Sequence, residues 1–434
     1  MSILNMNENG VVLLNMLLYI GLTVFYLYKY KWHNIATIVG ALYAIGATCS
    51  YLLYNFPLYY LTFTSNGNCT LEACLYLFAV NYLLISSLRH FSIDETQVLT
   101  HYNEHCFDNI LKTLSVLFII YLAFNLPISI SYFFSGSDLA ELRDDSYGVD
   151  NSSNFFLVRL ITRLFNSSSI LLLILPCIRL VLLKTAKKID KVALAVYILL
   201  KVNTMFAVVS RAIVVFSFLE LIIVFGLFHS YFSADIKKKV AKFCIVIIPG
   251  IFIVFNSISY ARFGTQGVMD NQLSTLRYSG EANLNFMGIM YPDLKKPFHG
   301  YSMFPLYRRV LGLKYNDGSS REGSTTYDTY IAKEYNYPHP VYVFYGLAGT
   351  LYGNWGWIGA ILIALIINIL LTRNRSSYEI SAMSLIIAII LASYIGKGIF
   401  YADYQGDSGN LMIIYLLILY RYLKSNGYSM TIYK

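Results

Sequence analysis

His339 stands between two prolines, in the stretch Tyr337-Pro338-His339-Pro340. Proline fixes its own φ and restricts the residue before it, so the ring is presented on a stiff backbone. Imidazole has a pKa of about 6.5 and can take a proton from a hydroxyl near neutrality. A hydroxyl activated in this way needs an electrophile and a stabilised leaving group. Guanidinium forks suit an anionic leaving group, because they bind phosphate in bidentate fashion and stay charged. Arg211, Arg262 and Arg277 are the candidates, with Arg159 and Arg163 beside them, and His299 is a second imidazole. Each also has a plainer reading. His339 suits a turn with a satisfied ring, and each arginine suits a snorkelling interfacial side chain.

The elements that must position these groups are apolar. The chain is 57% hydrophobic and 13% charged, whereas soluble domains carry about 25% charged residues. Runs long enough to span a bilayer, about 20 residues each, recur along most of the sequence. Eleven are expected, with ten to twelve allowed by their edges: 11–28, 35–55, 71–88, 113–134, 155–183, 192–210, 212–232, 243–261, 341–371, 379–401 and 410–423. The expectation is therefore an all-α polytopic membrane protein. The first run lacks a basic region before it and a small-residue cleavage site after it, so it reads as a retained helix.

Basic residues follow every second run. They include Lys29 and Lys31, Lys184 to Lys191, Lys237 to Lys242, Arg373 and Arg375, and Arg421 and Lys424. The alternate short connections are poor in base: 57–70 has no charge, and 135–154 has five acids against Arg143. The positive-inside rule then puts the N-terminus outside and the C-terminus inside. It also accounts for the net charge of +9 without a nucleic-acid partner. The expected organisation is an N-terminal helical bundle over 1–261, a large outer loop over 262–340, and C-terminal helices of the same domain over 341–434. The loop is too varied in composition for a linker, and ordered long loops are usually functional. Asp270–Met290 has enough apolar residues to form short helices lying on the membrane.

His339 ends that loop, at the boundary where a lipid headgroup lies. A diphosphate on a lipid is the natural ligand for arginines gathered at the same depth. Arg211 sits where runs six and seven meet, with Lys201 ten residues before and Glu220 nine after. A hairpin there puts both at about 15 Å depth, given 1.5 Å rise per residue. Their ion pair would support Arg211. The loop tyrosines, among them Tyr291, Tyr307 and Tyr337, suit either sugar faces or an interfacial belt. The six cysteines form no CxxC pair and read as buried free thiols.

Ser210-Arg211 at an outer turn, the loop arginines, and His339 followed by Gly346/Gly349 and Gly353/Gly356 in YGNWGWIGAIL form a pattern. With its many spans and one large late loop, the chain resembles bacterial O-antigen or capsule repeat-unit polymerases of the Wzy type. It resembles O-antigen ligases more distantly. The resemblance implies a GT-C-like glycosyltransferase of the inner membrane that works at the periplasmic face without metal or cofactor. Its substrate would be an undecaprenyl-diphosphate-linked oligosaccharide, transferred en bloc, with a chain-length regulator as a protein partner beside the membrane lipids. It maps the diphosphate arginines to Arg211 and to Arg262 or Arg277, and the general base to His339. Ligases usually have a polar residue after that histidine, and Pro340 here favours the polymerase. A flippase or transporter is the rival of another class. It would place ionisable groups near the midplane and show repeated halves, and no internal repeat is visible.

Overall fold

In the computed structural model the described residues are 7–32, 34–57, 59, 68–89, 98–133, 168–182, 186–208, 211–229, 232–234, 237–238, 242, 268–293, 303–311, 345–373, 379–400, 407–425 and 430–432. Run eight (243–261), Arg159, Arg163, Arg262, His299 and His339 lie outside them.

The chain packs as two compact units, each discontinuous in sequence. Unit one takes Met1–Ser92, Gln272–Ser376 and Leu391–Asn410, and unit two takes the remainder. In unit one, α1 (Glu8–Tyr30) packs on α2 (Ile35–Tyr54), and α3 (Leu71–Leu88) packs on α9 (Gly346–Arg373). Each of the first three helices starts at a residue built for it. Asn7 accepts from the Gly10 amide, Asn34 from Ala36 and Thr70 from Ala73, satisfying N–H groups that a helix leaves orphaned.

The glycine-spaced run is not one straight rod. At Gly356, φ is 69° and ψ is −173°, which breaks α9 between Trp355 and Trp357. Only glycine takes that conformation without steric cost. Residues 346–354 before the break are buried, whereas Trp357, Ile358, Leu362, Ile366 and Ile369 beyond it are exposed.

Unit two holds α4 (Glu104–Phe133), α5 (Leu171–Leu182), α6 (Lys188–Val208) and α7 (Arg211–Phe228). Here α6 packs on α4, α5 and α7. Among the described residues, five helices are long and apolar enough to cross a membrane: α1, α2, α3, α4 over Glu104–Pro127, and α9 over Gly346–Thr372. Leu171–Leu180, Val215–Phe228 and Ala382–Lys397 are apolar but shorter. Large apolar side chains such as Leu17, Val24, Val116, Phe124 and Ile369 face outward. Exposed apolar area on that scale is covered by another phase, and lipid is the one these lengths fit. The chain is therefore a helical membrane protein.

Two features differ from the sequence reading. The first is a small sheet in unit two, so the described fold is helical except for three short strands. Strand β1 (Val98–Tyr102) pairs in parallel with β2 (Glu379–Ser381), through Val98↔Glu379 and Thr100↔Ser381. It pairs antiparallel with β3 (Met430–Ile432), through Leu99↔Ile432 and Tyr102↔Met430. β-branched and aromatic residues in Val-Leu-Thr-His-Tyr suit a strand, but its partners come from remote connections.

The second is α8 (Val268–Asn285), which continues into a π-helical turn, Phe286–Met290. This segment is helical as expected but does not lie on a membrane by an apolar face. Every residue from Gly280 to Met290 is buried, including Glu281, Asn283 and Asn285. Gly280 carries its carbonyl to the Ser50 hydroxyl of α2 (2.7 Å), and Asn283 donates to the same oxygen (3.2 Å). Gly288 accepts from the Asn68 amide, and Phe286 meets Tyr76 of α3 and Tyr352 of α9. Polar backbone and side chains enter an apolar bundle here because α2 and the 68–70 segment satisfy them.

Candidate functional site

Arg277 lies on α8, within unit one. Its Nη2 reaches Glu281 Oε1 at 3.0 Å, one turn along the same face. Its guanidinium carbon stands 5.8 Å from the centroid of the Tyr59 ring, within cation–π range. The two partners differ in depth. The Arg277 side chain is 32% exposed and that of Glu281 is 6% exposed. The carboxylate therefore sits beneath and the guanidinium at the rim. Burial pushes the Glu281 carboxyl above its usual range, against the pull of Arg277. Burial also pushes the Tyr59 phenol well up, with Glu281 adding to it, so that ring stays neutral. The signal for Glu281 was present in the sequence as an Arg-x-x-x-Glu spacing on one helix.

Arg211 is the first residue of α7, in unit two. Its backbone lies in the helix and its side chain is outside the description. The flanking pair is placed. Lys201 Nζ is 3.1 Å from Glu220 Oε2, and the Tyr197 hydroxyl donates to the same oxygen at 2.5 Å. The ammonium also stands 5.1 Å from the Tyr197 ring centroid. The Glu220 side chain is 4% exposed, and the pair ties α6 to α7. Removing one partner leaves a buried charge unmatched. Lys201→Met is expected to lower stability by about 2 kcal/mol, and the added Glu220→Gln to restore most of it. Denaturant titration of the three proteins in micelles checks this.

A larger ionic cluster escaped sequence reasoning. Arg179, fully buried on α5, reaches Asp108 of α4 at 2.6 Å and Asp190 of α6 at 3.3 Å. Lys187 joins it, 2.6 Å from Asp108 and 2.8 Å from Glu104. A charge inside an apolar run is itself the signal, but Asp108 comes from α4, which no spacing along the chain ties to α5.

Two loop tyrosines have internal roles. Tyr291 stacks on Tyr352 at 5.2 Å and donates to Glu72 at 2.7 Å, and Tyr307 donates to the Asn410 carbonyl at 2.9 Å. Tyr301, Tyr315, Tyr327, Tyr330, Tyr335 and Tyr337 lie outside the described residues. Cys49, Cys69, Cys74, Cys106 and Cys177 are free thiols, and Cys244 lies outside the description. No family model, no curated protein and no solved structure matches the chain.

Proposed function

We propose that this protein is a membrane glycosyltransferase of the inner membrane that polymerises lipid-diphosphate-linked oligosaccharide repeat units at the periplasmic face. The observation that carries the reading is α8. A polar helix from the large loop is seated among apolar helices, with one arginine brought to the rim and braced from below. An arginine held there can grip a phosphate while a lipid tail remains in the bilayer. Arg211, at the start of α7, is the other diphosphate ligand in this reading, with Arg262 the alternative to Arg277, and His339 is the general base. The attacking sugar hydroxyl gives its proton to His339 as it bonds to the anomeric carbon. The bond from that carbon to the diphosphate oxygen breaks, and the arginines stabilise the charge that collects on the departing undecaprenyl diphosphate. The Lys201–Glu220 pair supports the turn.

Contacts within each unit support the alternation of sides. Tyr54 meets Glu8 (2.8 Å), Tyr291 meets Glu72, and the Leu306 amide meets Asn410. In every case the charge alternation assigns both partners to the outer side. Asn34 donates to the Arg89 carbonyl, Lys187 pairs with Glu104, and the three strands join one another. The alternation assigns all of these to the inner side.

The test is complementation of a strain lacking the protein, with surface glycan resolved by gel. Arg211→Ala and His339→Ala are expected to insert normally and to leave glycan of a single repeat unit. Loss of a general base lowers turnover by about 10²–10⁴-fold. Wild-type chain lengths from both variants would remove the site assignment. A strain lacking the protein that shows no glycan at all on its surface lipid, in place of single repeats, would indicate a ligase.

A further inference from the structure

We propose that Glu281 is a positioning residue, which holds the Arg277 guanidinium in place to receive the diphosphate. The proposal rests on the reading of Arg277 as a diphosphate ligand.

Four features carry it. Glu281 bonds a terminal nitrogen of Arg277 at 3.0 Å, from one helical turn away, so the two groups move as one body. The carboxylate is buried and the guanidinium is at the rim. A pair meant only to cancel charge needs no such difference in depth. The Tyr59 ring, from far along the chain, backs the guanidinium, which limits it to few rotamers. The helix beneath is fixed to α2, because the Gly280 carbonyl and the Asn283 amide both meet the Ser50 hydroxyl. A long, rotamer-rich side chain is thus ordered before any ligand arrives. Its ordering entropy is then not charged against binding.

The sign of the effect separates positioning from simple electrostatics. In its ionised form Glu281 would set an anion beside an anion site. If it acted only through its charge, its removal would tighten diphosphate binding. If it positions Arg277, its removal weakens binding although a repulsive charge is gone. The expected loss is about tenfold, the scale of one charge-assisted hydrogen bond.

The experiment uses the full chain in lipid nanodiscs and equilibrium binding of undecaprenyl diphosphate, with undecaprenol as the uncharged control. Glu281→Gln keeps the shape of the side chain, and Glu281→Ala removes it. Both are expected to weaken diphosphate binding about tenfold without changing undecaprenol binding. Arg277→Ala is expected to weaken it at least as much. The double variant Arg277→Ala/Glu281→Ala is expected to match Arg277→Ala alone, because a positioning residue has nothing left to position. Unchanged or tighter binding in Glu281→Gln, with Arg277→Ala still impaired, would overturn the proposal and leave the diphosphate reading standing. Additive losses in the double variant would do the same and make Glu281 a structural group. No effect of Arg277→Ala would overturn the diphosphate reading at this residue, and the proposal with it.

Discussion

Arg179→Ala is expected to destabilise unit two by about 3–5 kcal/mol, the range for breaking a buried ion pair. The guanidinium has no exposed surface, and it faces Asp108 and Asp190 from α5. Its removal leaves carboxylates facing each other with Lys187 alone to offset them. Lys187 is poorly suited to do so, since its side chain is 39% exposed and solvent screens its charge. The loss should be recoverable without restoring any charge. An Arg179→Met/Asp108→Asn/Asp190→Asn variant is expected to regain most of the stability, because apolar or neutral replacements of a whole buried cluster are often tolerated. Denaturant unfolding in micelles, compared across wild type, single and triple variants, reads both effects. A single variant within about 0.5 kcal/mol of wild type, the range of ordinary surface substitutions, would mean that the cluster does not hold α4, α5 and α6 together.

Gly280→Ala is expected to dislodge α8 from α2. A Cβ built there falls 2.5 Å from the Cys49 carbonyl carbon and the Ser50 amide nitrogen, and 2.7 Å from the Cys49 carbonyl oxygen. These are backbone atoms, so no side-chain rotation makes room. Overpacking of this kind usually costs about 1–3 kcal/mol. The functional effect should exceed the loss of stability, because α8 carries Arg277 and Glu281. Loss of polymer on the gel with the protein still inserted is the expected outcome. Cys49 provides a direct readout, since it is partly exposed and free in the native chain. Maleimide should label it faster in Gly280→Ala, and the control Gly21→Ala, whose Cβ would meet nothing within 4 Å, should label it at the wild-type rate. Equal labelling and full polymer in Gly280→Ala would contradict the close approach of the two helices.

What could be read from the sequence was what is local. Ten of the eleven expected runs overlap helices, and Asn7, Asn34 and Thr70 mark three of the helix starts. Five of those helices meet the length and hydropathy of a span. Lys201 and Glu220 could be paired on paper because a hairpin gives two residues equal depth when they are equidistant from its turn. Arg179 could not be paired, because Asp108 arrives from a helix whose place in the bundle no spacing reveals. The three-stranded sheet escaped for the same reason. The site of α8 escaped for another. Its composition is that of a surface helix, and the hydroxyl that meets Asn283 and the Gly280 carbonyl belongs to α2, while the amide that meets the Gly288 carbonyl belongs to residue 68.

Transfer between two lipid-linked saccharides is the central activity proposed for this protein. The measurement is reconstitution of the purified chain in liposomes with an undecaprenyl-diphosphate oligosaccharide as sole substrate and no metal added. A ladder of products growing by one repeat unit, with equimolar undecaprenyl diphosphate released and no ladder from His339→Ala, is the predicted result. Substrate that crosses the bilayer with its saccharide unextended would contradict it and reveal a transporter.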